Sequence, residues 1–460
     1  MVKRRGCNVS MPSSLLTSAE LPEWGQRWLQ APYRSYLYSY PHKTAYRSLE
    51  PGLSLQELWE QEQTDYYFLY MHIPFCGARC GFCNLFTLPD RRADVHERYV
   101  DALQRQAEQW SPWFAGRPFS RFAIGGGTPT LLVAKQLNRL FDIAEGIMGL
   151  DPTQASISVE TSPETVTEDR LRVLKDRQTD RVSIGVQSFV TEEAAAIYRP
   201  QNPRIAEEAL EKLKSYDFPL LNIDLIYGLP GQTADSWLYS LEKALSYEPG
   251  EIFIYPLYTR ENTILKPDQI HKQGNDIRMD LYHIARQTLE AAGFKQYSMR
   301  RFAREIDFTH KEILPFSCQE EGMAGLGCGA RSYTRGVHYA SHYGVSAATT
   351  RSIIADYVTT EAYDKADYGF VLNEVEQKRR FILKALLHRE GLELASYHQR
   401  FRSDAMADHA DLGQLLEIGF AVVEAGVLRL TTLGMAHSDA IGDEMISGDV
   451  RTLMEGYEMR

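Results

Sequence analysis

Residues 76–83 of this 460-residue chain read CGARCGFC, so three of its 6 cysteines, Cys76, Cys80 and Cys83, fall within eight positions. Thiolates spaced Cys-x3-Cys-x2-Cys on one loop can bind three irons of a [4Fe–4S] cube, which leaves the fourth iron without a protein ligand nearby. A catalytic site keeps an open coordination position of this kind, whereas a structural site fills its shell. The competing reading is a zinc site completed by His72, four residues before Cys76. Cys7, Cys318 and Cys328 are scattered and read as ordinary thiols. A second stretch with chemical potential is GGGTPT, Gly125 to Thr130. It is neither a Walker loop nor a dinucleotide fingerprint. Consecutive glycines let a backbone approach a ligand closely and offer N–H groups to a carboxylate.

These stretches need a scaffold, and the sequence around them alternates short β-branched runs with amphipathic ones. Candidate strands are YYFLYMHI (66–73), RFAIGG (121–126), ASISVET (155–161), RVSIGVQS (181–188), LLNIDLIYG (220–228) and EIFIYPLY (251–258). Helical stretches such as RADVHERYVDALQRQAEQW and PRIAEEALEKLKSYD separate them. Such alternation predicts parallel βαβ units. Six units make an α/β fold, a partial (β/α)6 TIM-like barrel, whose chemistry belongs at the strand C-termini. The cysteine loop follows the first strand and the glycine turn the second, as that rule requires. Around this core, expected over 66–300, the sequence predicts an N-terminal arm (1–65), a connector of glycine-rich loop and short strands (301–370) and a small winged-helix-like domain (371–460).

The formal net charge of -11 argues against nucleic acid as a partner, because phosphate neutralisation needs concentrated Lys and Arg. The winged-helix-like module is therefore read as a packing or lid element. No stretch approaches the roughly 18 uninterrupted apolar residues of a membrane helix, and the start lacks the apolar core of a signal peptide. The chain reads as cytoplasmic, where clustered cysteines serve metal or redox chemistry rather than structural disulfides.

Taken in order, LYMHIPFCGARCGFC, IGGGTPTLL, ISVETSPETV, RVSIGVQSF, NIDLIYGLPGQT and LRLTTLG resemble the radical S-adenosylmethionine (SAM) enzymes, and more narrowly the oxygen-independent coproporphyrinogen III oxidase-like family. The resemblance runs from about Tyr66 to the C-terminus. It implies a [4Fe–4S] cluster on Cys76, Cys80 and Cys83 whose open iron is chelated by SAM. One electron then yields methionine and a 5'-deoxyadenosyl radical that abstracts hydrogen from an organic substrate. Family SAM-contacting positions match Tyr70, Gly126, Gly127, Thr128, Glu160, Gln187, Arg199 and Asp224, and Phe82, inside the cysteine loop, reads as an apolar shield for the cluster rather than a reactant. The resemblance further implies a flavodoxin- or ferredoxin-type electron donor, a small-molecule and tetrapyrrole-like substrate, and a monomer.

Departures narrow the expectation. The haem chaperone branch carries a His-Asn-Leu-x-Tyr-Trp segment before its Gly-Leu-Gly loop, whereas this chain reads ILPFSCQEEGMAGLG. The oxidase has a further cysteine two residues after its third cluster cysteine, where this chain has Leu85. Three functions stay open: a coproporphyrinogen dehydrogenase-like oxidoreductase using one SAM, a methyltransferase using two SAM molecules, and a haem-binding protein. His42 and Lys43, in SYPHKTAY, are read either as contacts to an anionic substrate or as charges on a packed arm.

Overall fold

The computed structural model describes residues 21–34, 36–64, 66–199, 202–259, 263–265, 276–305, 321–344 and 346–457. Six segments form consecutive strands: β1 Tyr67–Ile73, β2 Phe119–Gly126, β3 Ser156–Thr161, β4 Arg181–Gln187, β5 Leu220–Tyr227 and β6 Glu251–Pro256. Each pairs in parallel with the next, and each lies within two residues of its expected bounds. Helices α1 Ala93–Trp110, α2 Ala134–Asp142, α3 Glu168–Asp176, α4 Pro203–Tyr216, α5 Ala234–Leu245 and α6 Arg278–Ala291 follow them in turn.

Local chemistry sets the helix boundaries. Asn202 caps α4 by accepting from the Arg204 N–H at 3.0 Å, and Pro203 fills the first position, where no N–H is needed. Asp217 ends the helix in the left-handed region. In α1, Tyr99, Val100, Leu103, Ala107 and Trp110 are buried at helical spacing, and each such large apolar side chain stabilises the fold by about 1.5–3 kcal/mol.

The strands carry a second pattern. Ile157 and Val159 in β3, Val182, Ile184 and Val186 in β4, and Ile223 and Leu225 in β5 are fully buried. Between them stand Ser158 and Glu160, Arg181 and Ser183, and Asn222 and Asp224, on the opposite face because strand side chains alternate. This polar face is knitted across strands near their N-terminal ends. Arg181 Nε donates to Glu251 at 2.7 Å and Arg181 Nη1 to Ser158 Oγ at 3.1 Å, while Arg301 holds the other Glu251 oxygen. Burial opposes ionisation of Glu251, but the two guanidiniums outweigh it and hold its carboxyl below the usual range.

A seventh parallel strand, β7 Met323–Leu326, adds to the other side of β1 in the register Met323 to Phe68. Antiparallel strands extend both edges: 331–333, 337–340, 365–371 and 47–54 beyond β7, and 301–303 and 295–296 beyond β6. The sheet is thus α/β with a parallel centre, and it remains open at 47–54 and 295–296.

The chain divides into two compact units. Leu37 and the described residues before it join Phe381–Met445, and Tyr38–Arg380 joins Ile446–Arg460. The smaller unit holds helices Leu394–Phe401, Ala405–Asp408 and Asp411–Glu417 and a three-stranded antiparallel sheet with the hairpin Ala421–Glu424 and Val427–Leu430. Trp28, in helix Glu23–Gln30, packs on Phe420 of this unit with ring centres 5.9 Å apart. These units cut across the segments expected at 1–65 and 371–460. The arm is shared between the units, and helix Gly448–Glu455 belongs to the larger one, where Arg47 donates to the Leu453 carbonyl. Among the described residues, no helix is long and apolar enough to cross a membrane.

Candidate active site

The cysteine loop leaves the C-terminal end of β1 and is closed at its base. Phe75 and Cys76 pair in parallel with Leu88 and Pro89, and the Leu88 N–H donates to the Pro74 carbonyl at 2.6 Å. The glycine turn after β2 is stapled to the same base: the Gly127 N–H donates to Ile73 O at 2.8 Å and the Thr128 N–H to Phe75 O at 2.7 Å. Each glycine meets a different site group. A Cβ on Gly125 would lie 2.9 Å from the Glu160 carboxylate, one on Gly126 2.5 Å from the His72 ring, and one on Gly127 2.5 Å from Phe75 O and 2.9 Å from Cys76 Sγ. Gly126 also has φ +114, a conformation open to glycine and strained for other residues.

The other loop contacts fix the remaining thiols. The Gly81 N–H donates to Ile197 O at 2.8 Å, and the Cys83 N–H to Cys80 O at 3.1 Å. Arg199 places Nη1 3.5 Å from Cys80 Sγ and donates through Nη2 to the Gly185 carbonyl in β4. Thr128 Oγ1 lies 3.8 Å from Cys76 Sγ, and Thr87 Oγ1 3.9 Å from Cys83 Sγ. All three cysteines are partly exposed and none is in a disulfide. Burial, then the neighbouring Cys83, pushes the Cys76 thiol up to about 12. Burial also raises Cys80, with Arg199 opposing it. Thiols held in this way give up protons when they bind metal.

The donor set suits a cube, which spreads three loop thiolates over separate irons. His72, the alternative fourth ligand, has its ring engaged elsewhere. Its Nε2 lies 2.9 Å from Phe86 O and its Nδ1 3.2 Å from the Tyr70 hydroxyl. Burial lowers its pKa to about 4, which keeps the ring neutral.

Polar residues from the strand ends meet this loop. Glu160, next to last in β3, accepts from the Gly126 N–H at 3.0 Å. Its carboxylate is exposed yet ringed by protein, and the reduced hydration raises its pKa, with Gly126 and Arg181 opposing. Gln187, last in β4, has φ +73 beside a bulge in the pairing with β5, and such bulges re-aim side chains. Gly185 makes room for it, since a Cβ there would lie 2.8 Å from Gln187 Nε2. Asp224 sits opposite Gly185 and accepts from Asn222 Nδ2 at 2.8 Å and Ser183 Oγ at 3.4 Å. Burial pushes its carboxyl up to about 6, against the pull of Asn222 and Arg181.

The structure therefore joins Cys76, Gly126, Gly127, Thr128 and Glu160 through one turn, and Cys80 with Arg199, Gly185 and Gln187 through another. Tyr70 reaches the first group through His72. Phe82 packs against Ile197, Ile226, Leu229, Leu257 and Leu265. The tie between residues 42–46 and the loop was not legible in advance. Lys43 Nζ donates to the Asn84 carbonyl at 3.4 Å, and Tyr343 donates to the same oxygen.

Residues 70–244 match the family model described as the radical SAM superfamily. The oxygen-independent coproporphyrinogen III oxidase of Salmonella typhimurium is 30% identical over 293 residues, 61% of this chain and 63% of the relative. The match thus spans less than two thirds of that oxidase. The heme chaperone HemW of Bacillus subtilis is 28% identical over 271 residues, 58% of this chain and 71% of the relative. The solved coproporphyrinogen III oxidase (HemN) from Escherichia coli, a radical SAM enzyme, aligns with a TM-score of 0.74 at 23% identity, over 90% of this chain and 97% of that one. That likeness shows the fold.

Proposed function

We propose, from the match of residues 70–244 to the radical SAM family model and the similarity to oxygen-independent coproporphyrinogen III oxidases and heme chaperones, that this chain is an enzyme acting on an organic substrate by reductive SAM cleavage, in the manner of coproporphyrinogen dehydrogenation. The observation that carries the reading is the contact chain Cys76–Gly127–Gly126–Glu160, which sets a thiol loop against a carboxylate at the strand ends.

When bound, a [4Fe–4S] cluster with SAM on its open iron supplies one-electron cleavage of the sulfonium and a 5'-deoxyadenosyl radical. The chain's own residues bind, orient and shield. Cys76, Cys80 and Cys83 would hold three of the cluster's irons. Glu160 would accept from the ammonium of SAM, Arg199 would pair with a carboxylate, and Asp224 with Gln187 would hold ribose hydroxyls. The glycine turn lets the backbone come close to that ligand. Phe82 and its apolar neighbours exclude water from one flank of the loop. A flavodoxin- or ferredoxin-type protein supplies the electron.

The test is anaerobic reconstitution with iron and sulfide, followed by electron paramagnetic resonance of the reduced protein with and without SAM. The reading predicts about four irons per chain and a spectrum that changes when SAM is added, with both lost in Cys83→Ala. A reconstituted spectrum indifferent to SAM would contradict it. The heme chaperone relatives support a second reading, in which haem titration shifts the Soret band without SAM consumption.

A further inference from the structure

Asp224 stands on a support that touches none of the other site residues. Asn222, two residues earlier in β5, lies on the same face of the sheet and is fully buried. Its Nδ2 donates to Asp224 Oδ1 at 2.8 Å and to Ser183 Oγ at 2.7 Å, and Ser183 Oγ donates to Asp224 Oδ2 at 3.4 Å. Strand pairing sets this triangle, since Ser183 in β4 stands beside Asn222 and Gly185 beside Asp224.

The direction of each bond is forced. An amide nitrogen only donates and an ionised carboxylate only accepts, so Ser183 must accept from Asn222 and pass its own hydrogen to Asp224. Each oxygen of Asp224 thereby receives one hydrogen bond from the protein and keeps lone pairs for ligand hydroxyls. The arrangement carries a penalty, because Asn222 Oδ1 is buried without a hydrogen-bond partner among the described residues. Rotating the amide by half a turn would not relieve it, since Oδ1 would then face the Asp224 carboxylate. An amide kept in this state serves the carboxylate rather than the packing.

The charged groups nearby leave room for that role. Burial acts most strongly on the Asp224 carboxyl and raises it, and Asn222 is the foremost group opposing, ahead of Arg181. Arg181 is itself engaged by Glu251 at 2.7 Å and Ser158 at 3.1 Å. Arg199 donates to the Gly185 carbonyl beside Asp224, and the carboxylates Glu160 in β3 and Glu251 in β6 favour protonation.

We propose that Asn222, acting with Ser183, is a positioning residue that holds Asp224 ionised and open to SAM. The assignment rests on the radical SAM reading and deepens it by naming what sets the pH range over which the site binds SAM. Ribose hydroxyls donate to a carboxylate, so binding is strong where Asp224 is ionised and weakens as pH falls through its titration. Losing the Asn222 donor destabilises the ionised form, and the same weakening then sets in at higher pH.

The test titrates the reconstituted, oxidised full-length protein with SAM by calorimetry between about pH 5 and pH 8. Wild type is compared with Asn222→Leu, Ser183→Ala, Asp224→Asn and the double variant Asn222→Leu with Asp224→Asn. Asn222→Leu is expected to move the acid limb of SAM affinity up by about one pH unit, leaving affinity about fivefold below wild type near pH 6 and about equal near pH 8, the scale of a lost hydrogen bond to a charged acceptor. Ser183→Ala, a smaller change that covers the case in which the leucine does not fit, shifts the limb the same way by less. Once Asp224 is asparagine, Asn222→Leu changes SAM affinity little. An acid limb in the same place in wild type, Asn222→Leu and Ser183→Ala overturns the assignment. So does a loss of equal size at every pH, or an undiminished loss in the Asp224→Asn background, either of which is what a merely structural role gives. An iron-loaded wild type that binds no SAM at any of these pH values overturns the radical SAM reading itself, whereas an unmoved limb in a protein that binds SAM defeats only the role of Asn222.

Discussion

At the scale of single residues, the glycine turn does more than leave room for a ligand. Gly127 touches Cys76 Sγ and Phe75 O where a Cβ would stand, so Gly127→Ala must push the cysteine loop off its base. We expect it to cost about 1–3 kcal/mol, as overpacking does, and to lower iron uptake in proportion, measured by denaturant unfolding and iron content. Asp224 gives a test in pH. Burial raises its carboxyl from 3.8 to about 6, so the folded state keeps this proton longer than the unfolded one. Below about pH 4 both states carry it and nothing is lost; from about pH 4 to 6 only the unfolded state ionises, and stability falls as pH rises; above that the penalty is constant. Asp224→Asn is therefore expected to stabilise by about 1–2 kcal/mol near pH 8, allowing for partial exposure. It should give no gain near pH 4 and should weaken SAM binding. Thermal unfolding at the two pH values reads the sign directly, and an equal gain at both would refute it.

At the scale of elements, two ties hold the site in place. Arg199 spans Cys80 Sγ and the Gly185 carbonyl, joining the loop to β4. Arg199→Ala should leave a reconstituted cluster that bleaches severalfold faster under a chelator, while the melting temperature of the iron-free protein changes little. Arg47 holds three carbonyls, Thr44 O at 2.9 Å, Tyr46 O at 2.8 Å and Leu453 O. Arg47→Ala should cost about 2–3 kcal/mol, because hydrogen bonds to a charged group are worth more than neutral ones and three acceptors lose their donor. Denaturant titration checks it. The six strands carrying the site were legible because Val, Ile and Leu recur at alternate positions between turn residues, as in RVSIGVQ. β7 was hidden: MAGL is four residues long, leads into a glycine-rich loop and shows no alternation. Strand Arg47–Ser54 contains a Pro-Gly pair and follows the antiparallel partner Lys365–Val371 only with a register shift, so its pairing cannot be read locally.

At the scale of the molecule, parallel strands collect at their C-terminal ends a thiol loop, a glycine turn and carboxylates drawn from positions 70 to 224. Residue types and spacing made Cys76, Cys80 and Cys83 stand out before any coordinates, whereas Glu160, Gln187 and Asp224 were singled out by the resemblance to a known family. The burial of the Tyr46 hydroxyl without a hydrogen-bond partner among the described residues was not visible, since it depends on neighbours distant in sequence. The division into units was hidden for a related reason. Trp28 finds Phe420 across nearly the whole chain, a contact that no local pattern announces. The central claim is that this scaffold performs reductive SAM cleavage, and it is tested most directly by incubating the reconstituted, reduced protein with SAM and measuring 5'-deoxyadenosine and S-adenosylhomocysteine together, with Cys83→Ala as control. Deoxyadenosine formed by wild type and absent from the control is the predicted result, and S-adenosylhomocysteine beside it would identify the methyl-transferring variant of the chemistry. An iron-loaded protein that binds SAM and coproporphyrinogen III yet yields no deoxyadenosine would contradict the account.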